Sequence, residues 1–115
     1  MRERDLEKKF AEKVKTLGGI TRKWASPSHR GVPDRVVIWP GGEVHFVELK
    51  TETGVLSALQ KKEIDLLDAM KATVLVLYGI DDVNKYMLDL ILLFLRMRLA
   101  RMRCHAACPV ASCTR

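Results

Sequence analysis

The apolar positions divide the chain into short periodic segments. Leu6, Phe10, Val14 and Leu17 recur at spacings of four, four and three. That is one face of a helix over residues 3–17, which Gly18-Gly19 closes. Residues 20–24 read as a short strand. Residues 25–33, Ala-Ser-Pro-Ser-His-Arg-Gly-Val-Pro, are turn-formers and read as a loop. Residues 35–39 and 43–49 are β-branched and apolar around Pro40-Gly41-Gly42, which predicts an antiparallel hairpin. Ser57 is placed as the N-cap of a helix running to about Met70, with Leu59, Ile64, Leu66, Leu67 and Met70 as a broad apolar face. The run 72–78, Ala-Thr-Val-Leu-Val-Leu-Tyr, predicts a central strand covered on both sides. Gly79 ends it, and Asp81 or Asp82 is expected to cap a last helix from about Val83. The order is αβββαβα, an α/β fold with a mixed sheet flanked by helices.

Composition narrows this little. The chain has 115 residues, 48% hydrophobic and 30% charged, enough for one domain and against wholesale disorder. The net charge of +6 is unevenly spread. Residues 96–115 hold five arginines and no acid, and the first 35 residues hold 10 basic and five acidic groups. Such clusters attract polyanions by neutralising phosphates, although surface lysines and arginines are common in any case. The charged N-terminal stretch has no secretory pattern, and Met87 to Leu95 is too short to span a bilayer. Cys104, Cys108 and Cys113 all lie near the end, so the core uses no disulfide. The expectation is a soluble, cytoplasmic protein without membrane contact.

The chemistry concentrates in residues 31–50, Gly-Val-Pro-Asp-Arg-Val-Val-Ile-Trp-Pro-Gly-Gly-Glu-Val-His-Phe-Val-Glu-Leu-Lys. Asp34 stands at the entrance of one hairpin strand. Glu48 and Lys50 lie two residues apart on the other, so they share a face while Leu49 points into the core. The hairpin brings Asp34 beside them. Two carboxylates and an ammonium at a strand end suit metal-assisted phosphodiester hydrolysis. A hard cation such as Mg²⁺ needs only one or two carboxylates plus waters, and the Leu49 carbonyl is a further oxygen donor. Lys50 is placed to orient or deprotonate the attacking water, or to neutralise the phosphate.

Pro33-Asp34 and, after thirteen intervening residues, Glu48-Leu49-Lys50 resemble the PD-(D/E)XK nuclease motif. Glu7 on a helix, Gly31-Val32-Pro33-Asp34-Arg35, Phe46 to Lys50, and Leu56-Ser57 followed by Gln60 resemble the stand-alone VRR-NUC nuclease domains of phages and bacteria. The resemblance spans residues 3–87. It implies a restriction-endonuclease-like core, Mg²⁺ or Mn²⁺ as cofactor, Asp34 and Glu48 as metal ligands, and Lys50 as the catalytic lysine. It further implies that Gln60 orders Lys50 or a water, and that Glu7 reaches the metal shell through water, with Glu3, one turn earlier, as the alternative. By the same resemblance the protein is a homodimeric DNA endonuclease that cuts four-way (Holliday) junctions and leaves 5′-phosphate and 3′-hydroxyl ends. Flaps, nicks and duplex ends are the alternative substrates. A non-catalytic, dimeric DNA-binding module is the alternative function.

Other residues have plainer readings. Glu48 and Lys50 on a solvated strand face, or Glu7 and Gln60 on helix surfaces, would need no catalysis. Lys23, Arg30 and Arg35 are candidate phosphate contacts, with simple exposure equally reasonable. His29 as a general base is weaker than a solvated loop histidine, and Trp24 and Trp39 are read as packing groups rather than base-stacking ones. Residues 88–103 form an apolar, arginine-threaded extension, too apolar for a free monomeric helix. It is read as a dimer element, with peripheral membrane attachment as the alternative. Residues 104–115 are expected to be a disordered tail. Cys104, His105, Cys108 and Cys113 match no trusted zinc spacing.

Overall fold

A computed structural model describes residues 1–107, with side chains described as far as Cys104. The order is α1 (Glu3–Thr16), β1 (Ile20–Lys23), β2 (Arg35–Ile38), β3 (Val44–Lys50), α2 (Ala58–Ala69), β4 (Thr73–Tyr78) and α3 (Gly79–Ala107). The strands form one mixed sheet in sequence order. β1–β2 and β2–β3 are antiparallel, and β3–β4 is parallel through the α2 crossover. The αβββαβα order and mixed sheet agree with the sequence reading. Residues Met1–Asn84 form one compact unit and the chain from Lys85 on forms another.

The two faces of the sheet are unlike. Val37, Val47, Leu49 and Leu77 are buried on one face, and α1 brings Leu6, Phe10 and Val14 to that layer, all almost fully buried. The spacing that predicted α1 is the spacing of this core. Trp39 is buried as well, the packing role expected of it. Val36, Phe46, Val74 and Val76 point to the other face and are only half-buried or less. Trp24 lies against Phe46 there, ring centroids 5.1 Å apart.

Three expectations need correction. β4 is an edge strand, hydrogen-bonded only to β3. A continuous apolar run reports that both faces are touched, not that both edges are paired. α2 buries no residue, and Leu59, Leu66 and Met70 are exposed, so its expected broad core face is reduced to half-buried positions such as Ile64 and Leu67. Finally, α3 begins at Gly79, four residues earlier than expected. Gly79 adopts φ +74°, a left-handed turn that swings the chain from strand to helix at once. The Asp82 carboxylate then accepts the Tyr78 N–H at 2.9 Å, tying strand end to helix start.

α3 continues to Ala107, so residues 104–107, expected in the tail, are helical. Cys108, Cys113 and the rest of the expected tail lie outside the described residues, as does the His105 side chain.

Candidate active site

Period-two alternation on β3 puts Glu48 and Lys50 on the half-open face and Leu49 in the core. Asp34 sits one residue before β2, and its Oδ2 accepts the Leu49 backbone N–H at 3.0 Å. That bond fixes the carboxylate at the end of β3, beside Glu48. The expected convergence of Asp34 and Glu48 is therefore realised by a main-chain contact.

Gln60 completes the arrangement. Ser57 caps α2, its hydroxyl accepting the Gln60 N–H at 3.1 Å, while Gln60 Oε1 accepts the Ser57 N–H at 2.8 Å. This reciprocal capping box immobilises the amide. Its Nε2 then donates to Glu48 Oε1 at 2.8 Å. The sequence reading placed Gln60 on Lys50 or a water; its partner is Glu48.

The loop before Asp34 is held against the same helix. Gly31 has φ +92°, and a Cβ there would stand 2.6 Å from the Leu59 carbonyl oxygen. Only glycine lets the loop pass so close to the start of α2. One turn along α2, His29 Nε2 lies 2.7 Å from Glu63 Oε2. His29 thus pins its loop to the helix while staying exposed, and nothing brings it to Glu48.

Glu48 is 1% exposed, and its Oε2 has no hydrogen-bond partner among the described residues. Burial, followed by the charge of Asp34, pushes its carboxyl up from 4.5 to about 8. Lys50 pulls in the opposite direction, while the charge of Glu3 adds to the rise. Two acids crowded in a dry site with an orphaned oxygen fit a divalent cation, whose charge would satisfy both. Among the described residues no three His, Cys, Asp or Glu side chains converge for a metal. The donor set is therefore two carboxylates, with room for main-chain oxygen and water. That suits Mg²⁺ or Mn²⁺ and argues against a closed zinc site.

Glu7 falls elsewhere. Its Oε1 accepts from Arg35 Nε and Nη2, each at 3.1 Å, and lies 3.5 Å from Lys23 Nζ. Arg35 is opposite Val47 in the β2–β3 register, so its side chain rises on the α1 face of the sheet, away from Glu48. Glu7 is thus engaged by Arg35 and Lys23 on that face, and Glu3, the alternative, is the first-helix acid whose charge acts on Glu48. Arg35 and Lys23 are accordingly ion-pair partners, and Arg35 is only 13% exposed. Arg30 is exposed with no described contact. The sequence reading passed over Lys15 and Arg22, which line an open groove with Arg35 beside β1. Their only signal was the local excess of basic residues.

Comparison with known proteins bears on the family and the fold. No family model matches the chain. A phage protein named "Putative nuclease p44", from Acyrthosiphon pisum secondary endosymbiont phage 1, is 40% identical over 77 residues, covering 67% of this chain and 83% of that protein. A solved VRR_NUC domain superposes with a TM-score of 0.69 at 32% identity, covering 72% of this chain and 90% of that one. An αβββαβα sheet with an acid pair at the end of its third strand defines the class, and the chain belongs to the VRR-NUC domain family.

Proposed function

We propose that this protein is a divalent-cation-dependent endonuclease that hydrolyses DNA phosphodiester bonds, with four-way junctions as substrate and a homodimer as the acting form. The nuclease reading rests on membership of the VRR-NUC family and on the name of the phage relative. The observation that carries the catalytic reading is the buried, unpartnered Glu48 Oε2 beside Asp34. A residue kept only for stability would not leave an acid in that position. The set matches the PD-(D/E)XK pattern, and junction preference and dimerisation follow the resemblance of the motif set.

Asp34 and Glu48 would hold the cation, with the Leu49 carbonyl as a further donor. When bound, the cation supplies charge stabilisation at the phosphate and makes a nearby water more acidic. The protein's own groups do the rest. Asp34 is held by the Leu49 N–H and Glu48 by the Gln60 amide, so both carboxylates are fixed before any ligand arrives. Lys50, on the same strand face, neutralises the phosphate or takes the proton of the attacking water. Water adds to phosphorus opposite the leaving 3′-oxygen; the P–O3′ bond breaks, the 3′-oxygen takes a proton from solvent to become a hydroxyl, and the phosphate stays on the 5′ side.

The test is cleavage of labelled four-way junction, flap and linear duplex DNA with Mg²⁺, Mn²⁺ or EDTA, by wild type and Glu48→Gln. Metal-dependent cutting of the junction, lost in the variant, is expected. Equal cutting of linear duplex would remove the junction preference and keep the nuclease. Wild-type rates in Glu48→Gln would overturn the site.

A further inference from the structure

Leu88, Leu92, Leu95, Leu99 and Met102 of α3 are each between 47% and 61% exposed. They recur at intervals of four, three, four and three. That is the spacing of a coiled-coil seam, and on a helix it makes one stripe along about 22 Å. Tyr86, Met87 and Leu90, on the other side of the helix, are buried. The stripe is therefore an apolar surface that no described residue of the chain covers.

We propose that this stripe is a homodimer interface in which two copies of α3 pair antiparallel about a two-fold axis. The charges beside the seam select both partner and direction. Asp82, Asp89, Arg96 and Arg103 recur every seven residues on one flank, acids first and arginines after. In a parallel pair, residues on opposite flanks of the seam meet, so Arg98 would face Arg103 of the other copy, twice over. In an antiparallel pair, residues of the same flank meet. Leu88 then packs on Leu99 of the other copy and Leu92 on Leu95. The same register sets Asp89 beside Arg96 of the other copy at both ends of the two-fold, and Asp82 beside Arg103 one heptad outward. Leucine layers and opposite charges agree on one alignment, which is the complementarity a self-pairing surface needs.

This inference gives the homodimer of the proposed function a surface. Its test reads mass rather than cleavage, so either can fail alone. The experiment is sedimentation velocity of the full chain over a micromolar dilution series, under reducing conditions that silence Cys104. A reversible dimer is expected. Leu92→Lys with Leu95→Lys should yield a monomer with unchanged circular dichroism, since both side chains are exposed in the single chain. Asp89→Arg should weaken association about tenfold by setting arginine against arginine. Asp89→Arg with Arg96→Asp should restore it, because the pair is exchanged across the two-fold. A monomer at every concentration, a dimer indifferent to the double lysine variant, or no recovery in the charge exchange would overturn the proposal. So would a monomer that co-sediments with phosphatidylserine vesicles through the same leucines.

Discussion

On the α1 face of the sheet, Glu7 meets Arg35 at 3.1 Å and Lys23 at 3.5 Å, and its charge is answered. On the opposite face, Glu48 is more deeply buried, yet the charge that acts on it most strongly is that of another acid, Asp34. One turn of α1 and two adjacent strands thus carry two carboxylate clusters of opposite character. The first is complete within the chain and serves the fold. The second is left incomplete, with an oxygen unpaired among the described residues and a carboxyl pushed up to about 8, and in the proposed function a cation would complete it. The difference lies in what is missing from the second cluster rather than in how many acids it has.

The largest expected effect comes from Glu48→Gln. The amide keeps the volume and can still accept from Gln60, but it removes a metal ligand. Cleavage should fall by about 10³-fold or more, as several kcal/mol of transition-state stabilisation is lost. The same change should alter stability in EDTA with a defined sign. Between pH 4.5 and about 8 the folded Glu48 holds a proton that the unfolded chain has released. Wild type therefore loses stability as pH rises through that window, with the contribution fully present below 4.5 and gone above about 8. Urea melts across pH should show a flatter profile for the variant, and higher stability than wild type at the alkaline end.

Gln60→Ala should act on both activity and fold. It removes the donor to Glu48 and one half of the capping box. Cleavage should drop about 10- to 100-fold, and stability by about 1 kcal/mol, measurable by kinetics and by urea melts. Mg²⁺ should raise the melting temperature of wild type at alkaline pH, with about 2.7 kcal/mol of stabilisation at a hundred times its Kd, and should leave Glu48→Gln unmoved.

The smallest effect on activity is expected from Glu7→Gln. It should cost roughly 1–2 kcal/mol, less than a fully buried pair, because Glu7 and Arg35 both keep some exposure to water. The rate of cleavage should stay close to wild type, whereas Glu3→Gln should lower it. The reverse pattern would return the first-helix role to Glu7 and dissolve the contrast between the two faces.

Much of the site could be read from local spacing. Glu48 and Lys50 share a face because strands alternate, and Asp34 meets them because the hairpin is short. Ser57 announced a helix start, and the capping box it forms with Gln60 fixes the amide that holds Glu48. The choice between Glu3 and Glu7 could not be made that way. One helical turn separates them, and the register of α1 over the sheet decides which acid reaches which face. Similarly, the composition of α2 suggested a core helix, but the far face of the sheet is too thinly covered to bury it.

The sequence by itself determined the element order, the α1 core face and the convergence of Asp34 and Glu48, because these depend on strand and helix periodicities and a short hairpin, whereas Gln60 entered only through the family resemblance. Tertiary structure alone decided that β4 is an edge, that Glu7 belongs to Arg35, and that Glu48 is buried with one oxygen unpaired among the described residues. Those outcomes depend on which surfaces meet across the sheet, and neighbours along the chain carry no record of that.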